Sequence, residues 1–155
     1  MKKIETLIDD INDLLVNKVD AIDEKVIEAF KDRMGDFLVA RLTKREDKRG
    51  LRMSNMIEEL LLVLAEVAGH SVEGRQETLE IAGVEGHRDA VIDGVTVDVK
   101  SANTYGFNKF RDHKLDGDDP FGYRDQLQSY IHAGQKDPIV TDKTRGAFLV
   151  MDKQL

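Results

Sequence analysis

Asp93 and Gly94 stand between two short runs, 88–92 and 95–100, in which apolar residues alternate with others. An Asp-Gly pair in that setting is the strongest local signal for a β-hairpin closed by a two-residue turn. Such a turn sets Ile92 opposite Val95, Val91 opposite Thr96, Ala90 opposite Val97, Asp89 opposite Asp98, Arg88 opposite Val99 and His87 opposite Lys100. Alternation then sorts the side chains. Ala90, Ile92, Val95, Val97 and Val99 form a core face, while His87, Asp89, Val91, Thr96, Asp98 and Lys100 share the other. A three-residue turn would shift the pairing by one place and part the two aspartates.

Helical spacing brackets this hairpin. Ile4, Leu7, Ile8, Ile11, Leu14 and Leu15 mark a first amphipathic helix, and Val26, Ile27, Phe30, Met34, Phe37 and Leu38 a second. A basic stretch, 41–52, follows, and then Ser54 or Asn55 caps a third helix over 56–68 that Gly69 ends. The period changes to two at 78–81, which predicts a strand. Residues 102–120, rich in Asn, Gly and Asp, read as a loop; 122–134 reads as a helix and 146–151 as a continuous apolar strand. The expectation is an α/β fold with a small mixed central sheet flanked by helices, a helical extension over 1–50 and a core over 51–155. An apolar strand so near Leu155 predicts a core truncated at its C-terminus.

Composition narrows the chemistry. Among 155 residues there is no Cys, which excludes disulfides, thiolate zinc, iron–sulfur clusters and a cysteine nucleophile. No apolar run approaches the ~20 residues of a membrane span, so the expected setting is the cytoplasm, without a membrane partner. With 30 acidic and 23 basic residues the net charge is −7, and a nucleic acid would have to be held by local patches or metal ions.

The facing aspartates need such an ion. At an effective dielectric near 20, two like charges ~5 Å apart repel by roughly 3 kcal/mol. Hard oxygen donors without sulfur suit Mg²⁺ or Mn²⁺, and Lys100 points its ammonium into the same space. The plainer alternative is a solvated hairpin face on which His87 and Lys100 neutralise two surface acids.

Gly86-His87-Arg88-Asp89, then Asp98-Val99-Lys100, then Gln126-Leu127-Gln128-Ser129-Tyr130, preceded by a helix with Glu58 and Glu59, resemble the PD-(D/E)XK nuclease superfamily in its RecB-like, phage-exonuclease branch. The resemblance spans about 53–151 and implies a restriction-endonuclease-like core. It implies that Asp89, Asp98, the carbonyl of Val99 and the helix acid Glu58 bind the metal, and that Lys100 orients the attacking water. Gln126 and Tyr130, four apart on one helix face, complete the implied catalytic set. Arg88 stands where the superfamily has proline, and Asp98 where it usually has glutamate.

The implied activity is Mg²⁺- or Mn²⁺-dependent hydrolysis of DNA phosphodiesters, as by a phage recombination exonuclease. A structure-selective endonuclease of the Holliday-junction resolvase kind and an inactive DNA- or protein-binding module are the alternatives. The expected partner is DNA, as linear duplex ends or single strands. A second copy of the chain, a recombinase or a single-strand-binding protein are further candidate partners. Candidate DNA contacts are His87 and Ser101 beside the acids, Arg45, Arg49 and Arg52 in the basic stretch, and Lys109 and Arg111 among the rings of 105–110. For the basic stretch a solvated helix end, and for the rings an anchor to the core, remain open readings.

Overall fold

The hairpin forms in the register that its turn dictates. In the computed structural model, which describes residues 2–17, 53–75, 77–81 and 83–152, Ala90 pairs with Val97, Val91 with Thr96 and Ile92 with Val95. Asp93 (φ 51°) and Gly94 (φ 82°) both take the left-handed conformation that a type I′ turn requires. The carbonyl of Gly94 accepts from the amides of Thr141 and Asp142, both at 3.0 Å, and a β-carbon on Gly94 would collide with Thr141 Oγ1. Turn chemistry and close approach therefore both demand glycine here.

The chain divides into two compact units, Met1–His70 and Ser71–Leu155. In the first, a short 3₁₀ turn, Ile4–Thr6, leads into α1, Leu7–Asn17, which buries Leu7, Ile11 and Leu14 on one stripe packed against α2, Met53–Val67. Helix α2 ends as expected: Gly69 has φ 96°, its amide donates to Glu66 and the amide of His70 to Ala65, the two bonds of a Schellman cap. His70, buried, meets Asp10 at 2.7 Å, and Asp10 also takes Thr6 Oγ1 and Lys2 Nζ. The second helix expected from the sequence and the basic stretch lie outside the described residues.

The second unit is mixed α/β. Its strands are β1 Val72–Glu73, β2 Glu77–Ile81, β3 Val84–Arg88, β4 Ala90–Ile92, β5 Val95–Ala102 and β6 Gly146–Asp152. A four-stranded sheet runs β1-β4-β5-β6, antiparallel except for the parallel β5–β6 pair, and β2 with β3 makes a separate two-stranded sheet. A parallel neighbour requires a long crossover. That crossover carries α3, Thr104–Arg111, a 3₁₀ turn, Lys114–Asp116, and α4, Tyr123–Ala133.

Two expectations change here. The hairpin was expected to run from His87 to Lys100, but its ladder stops at Ala90, and His87 and Arg88 pair instead with Thr78 and Glu77 of β2. The region expected to be a loop, 102–120, contains α3. Asn103 starts that helix by accepting from the amide of Gly106 at 2.8 Å, a cap worth about 1 kcal/mol. Among the described residues, no helix is long and apolar enough to cross a membrane.

Candidate active site

The ladder stops at Ala90 because a side chain takes over from the backbone. In a continued hairpin Arg88 would exchange hydrogen bonds with Val99; instead Asp89 Oδ2 accepts from the Val99 amide at 2.8 Å. With its amide facing Asp89, Val99 presents its carbonyl to the same side, because both groups of one strand residue point one way. Val99 is thus placed beside Asp89, and Asp98 sits one residue earlier on β5.

Register fixes which elements cover Asp98. Thr96, Asp98 and Lys100 pair with Gly146, Phe148 and Val150, so all six residues share a sheet face. Helix α4 packs there: a β-carbon on Gly146 would stand 2.9 Å from Leu127 and from Ile131. Helix α3 joins it, with the ring of Phe110 5.2 Å from that of Phe148. The face is consequently not a solvated one. Asp98 is 4% exposed and Thr96 is fully buried.

Burial, and then the adjacent carboxylate of Asp89, push the pKa of Asp98 up to about 7 against the pull of Lys100. Lys100 Nζ lies 3.2 Å from Asp98 Oδ2 as an ion pair, yet that buried oxygen has no hydrogen-bond partner among the described residues. Burial acts to lower the pKa of Lys100, but Asp98 and then Asp89 outweigh it and raise the pKa. The residue is an ammonium at any ordinary pH. It also lies 4.8 Å above the ring of Tyr123, a cation–π contact that sequence reasoning missed. The available signal was spacing: Tyr123, Leu127 and Tyr130 make one stripe of α4.

Gln126 and Tyr130 do act together, Gln126 Nε2 donating to Tyr130 Oη at 3.1 Å. Burial raises the pKa of Tyr130, and the charges of Asp98, Asp89 and Lys100 all reach it. Its ring edge lies where a β-carbon on Gly86 would be, 3.0 Å from Cε1. Arg88 is wholly buried and bridges Glu77 and Asp137.

Asp89, Asp98, Val99, Lys100, Gln126 and Tyr130 are therefore brought together within the second unit. Glu58 lies half-buried on α2 of the first unit. His87 is exposed and meets Thr78 Oγ1 at 3.3 Å through Nδ1 rather than facing Lys100. Ser101 keeps a buried hydroxyl with no hydrogen bond among the described residues. Lys109 pairs with Asp118 at 2.7 Å, and the exposed Arg111 with Asp112 at 3.2 Å. Arg45, Arg49 and Arg52 lie outside the described residues. Among the described residues no three His, Asp or Glu side chains gather as a metal-binding group. No known family, curated protein or solved structure matches the chain.

Proposed function

We propose that the chain is a divalent-metal-dependent DNA nuclease of the PD-(D/E)XK kind, acting as an exonuclease of the phage recombination type. The observation that carries this reading is Asp98: a buried carboxyl group beside a second one, with an ammonium 3.2 Å from its Oδ2. Burying such a group is costly unless something compensates it. Support also comes from order along the chain, with Asp89 just before β4, Asp98 and Lys100 on β5, and Gln126 and Tyr130 on the helix that covers them.

The donors fit Mg²⁺ or Mn²⁺. Two carboxylates and the Val99 carbonyl are hard oxygen ligands, and an ion of this kind keeps waters where protein ligands are few. Asp89, Asp98 and Val99 would hold it. Such an ion, when bound, lowers the pKa of water and screens phosphoryl charge.

The chain's own groups do the rest. Lys100, fixed between Asp98 and the Tyr123 ring, donates hydrogen bonds to the attacking water and offsets charge growing on the phosphoryl oxygens. Its raised pKa makes it a donor and not a proton acceptor. Tyr130, tied to Gln126, presents its hydroxyl beside the acid pair and fixes the wall of the site. Water would then attack phosphorus in line, giving up its proton to solvent, as the P–O ester bond breaks and the leaving oxygen takes up a proton from solvent.

The test is incubation with Mg²⁺ or Mn²⁺ and end-labelled linear duplex, single strands, closed circles and a four-way junction. Mononucleotides from linear substrates, with circles untouched, are expected. Nicking confined to junctions would assign the structure-selective endonuclease instead, and inertness in both metals would overturn the nuclease reading.

A further inference from the structure

Beside Lys100 the second unit has a hollow of about 280 Å³, with Lys100, Asn103, Tyr105, Lys109, Phe121 and Tyr123 in its lining. Three of its rings form a row. Phe110 and Tyr123 stack with centroids 5.8 Å apart and planes 24° from parallel, and Tyr123 and Phe121 with centroids 5.6 Å apart at 29°. The row begins on the sheet, where Phe110 meets Phe148, and ends at Phe121, which is 76% exposed. Tyr105, also in the lining, is 70% exposed, with Lys109 Nζ 4.9 Å from its ring centroid.

The charges around the hollow are already committed. Asp118 pairs with Lys109 at 2.7 Å, and Asp119 accepts from the amides of Tyr123 and Arg124 at the start of α4. What remains on offer is aromatic surface: a row of stacked rings ending in an exposed one, which a fourth flat ring would continue. We infer that this hollow is a subsite for one unpaired nucleobase of the DNA strand, stacked on Phe121 and Tyr105 while the adjoining phosphate lies toward Lys100. The inference rests on the nuclease reading for the identity of its ligand.

Three features select a base over other flat ligands and an unpaired base over a paired one. Lys100 lines the hollow and also touches Asp98, so the ring site and the acid pair are continuous. The volume of about 280 Å³ is ample for one nucleobase. A base inside a duplex has both faces covered by its neighbours, so only a single-stranded, overhanging or frayed end can offer one. The preferred substrate is then an end with unpaired nucleotides.

A short single-stranded oligonucleotide carrying 2-aminopurine at its terminus, mixed with the full chain in chelator, reads base stacking without any cleavage. Quenching of the 2-aminopurine is expected, and Phe121→Ala should abolish it and weaken binding roughly tenfold. Both rings are exposed, so Phe121→Ala and Tyr105→Ala leave the fold intact. With Mn²⁺ present, Phe121→Ala should raise KM on single strands about tenfold, with a smaller effect on blunt duplex. Absent quenching, or binding unchanged in both variants, overturns the subsite even if the protein cleaves DNA. Quenching lost in Phe121→Ala sustains the subsite even if no metal supports cleavage, in which case only the nuclease reading falls.

Discussion

The ring edge of Tyr130 rests against the bare α-carbon of Gly86, so the helix that covers the acid pair and the strand that leads into it meet where a side chain is missing. Gly86→Ala would bring a methyl within 3.0 Å of Tyr130 Cε1 and force the ring to move. Cleavage should fall about tenfold or more. Tyr130→Phe keeps the ring and loses only the bond from Gln126, so its loss should be smaller. Steady-state kinetics on labelled DNA with melting curves of both variants decide this; equal activity in Gly86→Ala and the parent would mean that the contact is packing alone.

Lys100→Ala should lower cleavage by about a hundredfold or more, as expected when a donor to developing charge is removed. DNA affinity, supplied by other cations, should stay within a few fold. Lys100→Arg should not restore the rate, because a planar guanidinium cannot take the place of a compact ammonium between Asp98 and Tyr123. Filter binding alongside single-turnover cleavage separates the two effects, and retained cleavage in Lys100→Ala would remove the lysine from the site.

In chelator, the stability of the chain should depend on pH through Asp98. Its carboxyl keeps its proton up to about 7 in the folded state and, in the unfolded chain, only to about 4. The folded state therefore binds more protons between those values, and its stability falls as pH rises through that window. Asp98→Asn should remove this slope. Adding Mn²⁺ at alkaline pH should restore stability to the parent and not to the variant. Urea titrations across the range supply the measurement; parallel pH profiles for parent and variant would contradict the placement of Asp98.

Gly94 and Gly83 share φ 82°, but only Gly94 has a neighbour, Thr141, in the path of an added β-carbon. Gly83→Ala should cost about 1 kcal/mol, the backbone penalty alone. Gly94→Ala should cost about 2–3 kcal/mol, since Thr141 must give way too. The difference between the two, measured by chemical denaturation, reports the latch between the hairpin turn and the segment entering β6. Equal losses would show that the latch yields freely.

What the sequence made legible was local. Asp93 and Gly94 carry the turn and with it the register from Ala90 to Val97, because turn type alone dictates that pairing. Gly69 and Gly134 end helices for an equally local reason. Where Asp89 diverts the ladder, competition between a carboxylate and a distant backbone decides, and alternation carries no trace of it. Helix α3 was hidden by its polar composition, its cap at Asn103 being the one overlooked sign. The nearness of Asp89, Asp98 and Lys100 was readable from the turn, but the end of the ladder at Ala90 and their burial were not. Burial depends on the parallel strand β6 and on α4 crossing over Gly146, and both arise from contacts far apart in the chain.

Asp98 and Lys100 stand on β5, a strand held by hydrogen-bonded neighbours on both sides, while Tyr105, Lys109 and Phe121 belong to the crossover above it. Substitutions in that upper segment can alter what the molecule grips while the strand beneath keeps its alignment. A lineage could thus retune its preference for one kind of end many times over and inherit the same chemistry unchanged.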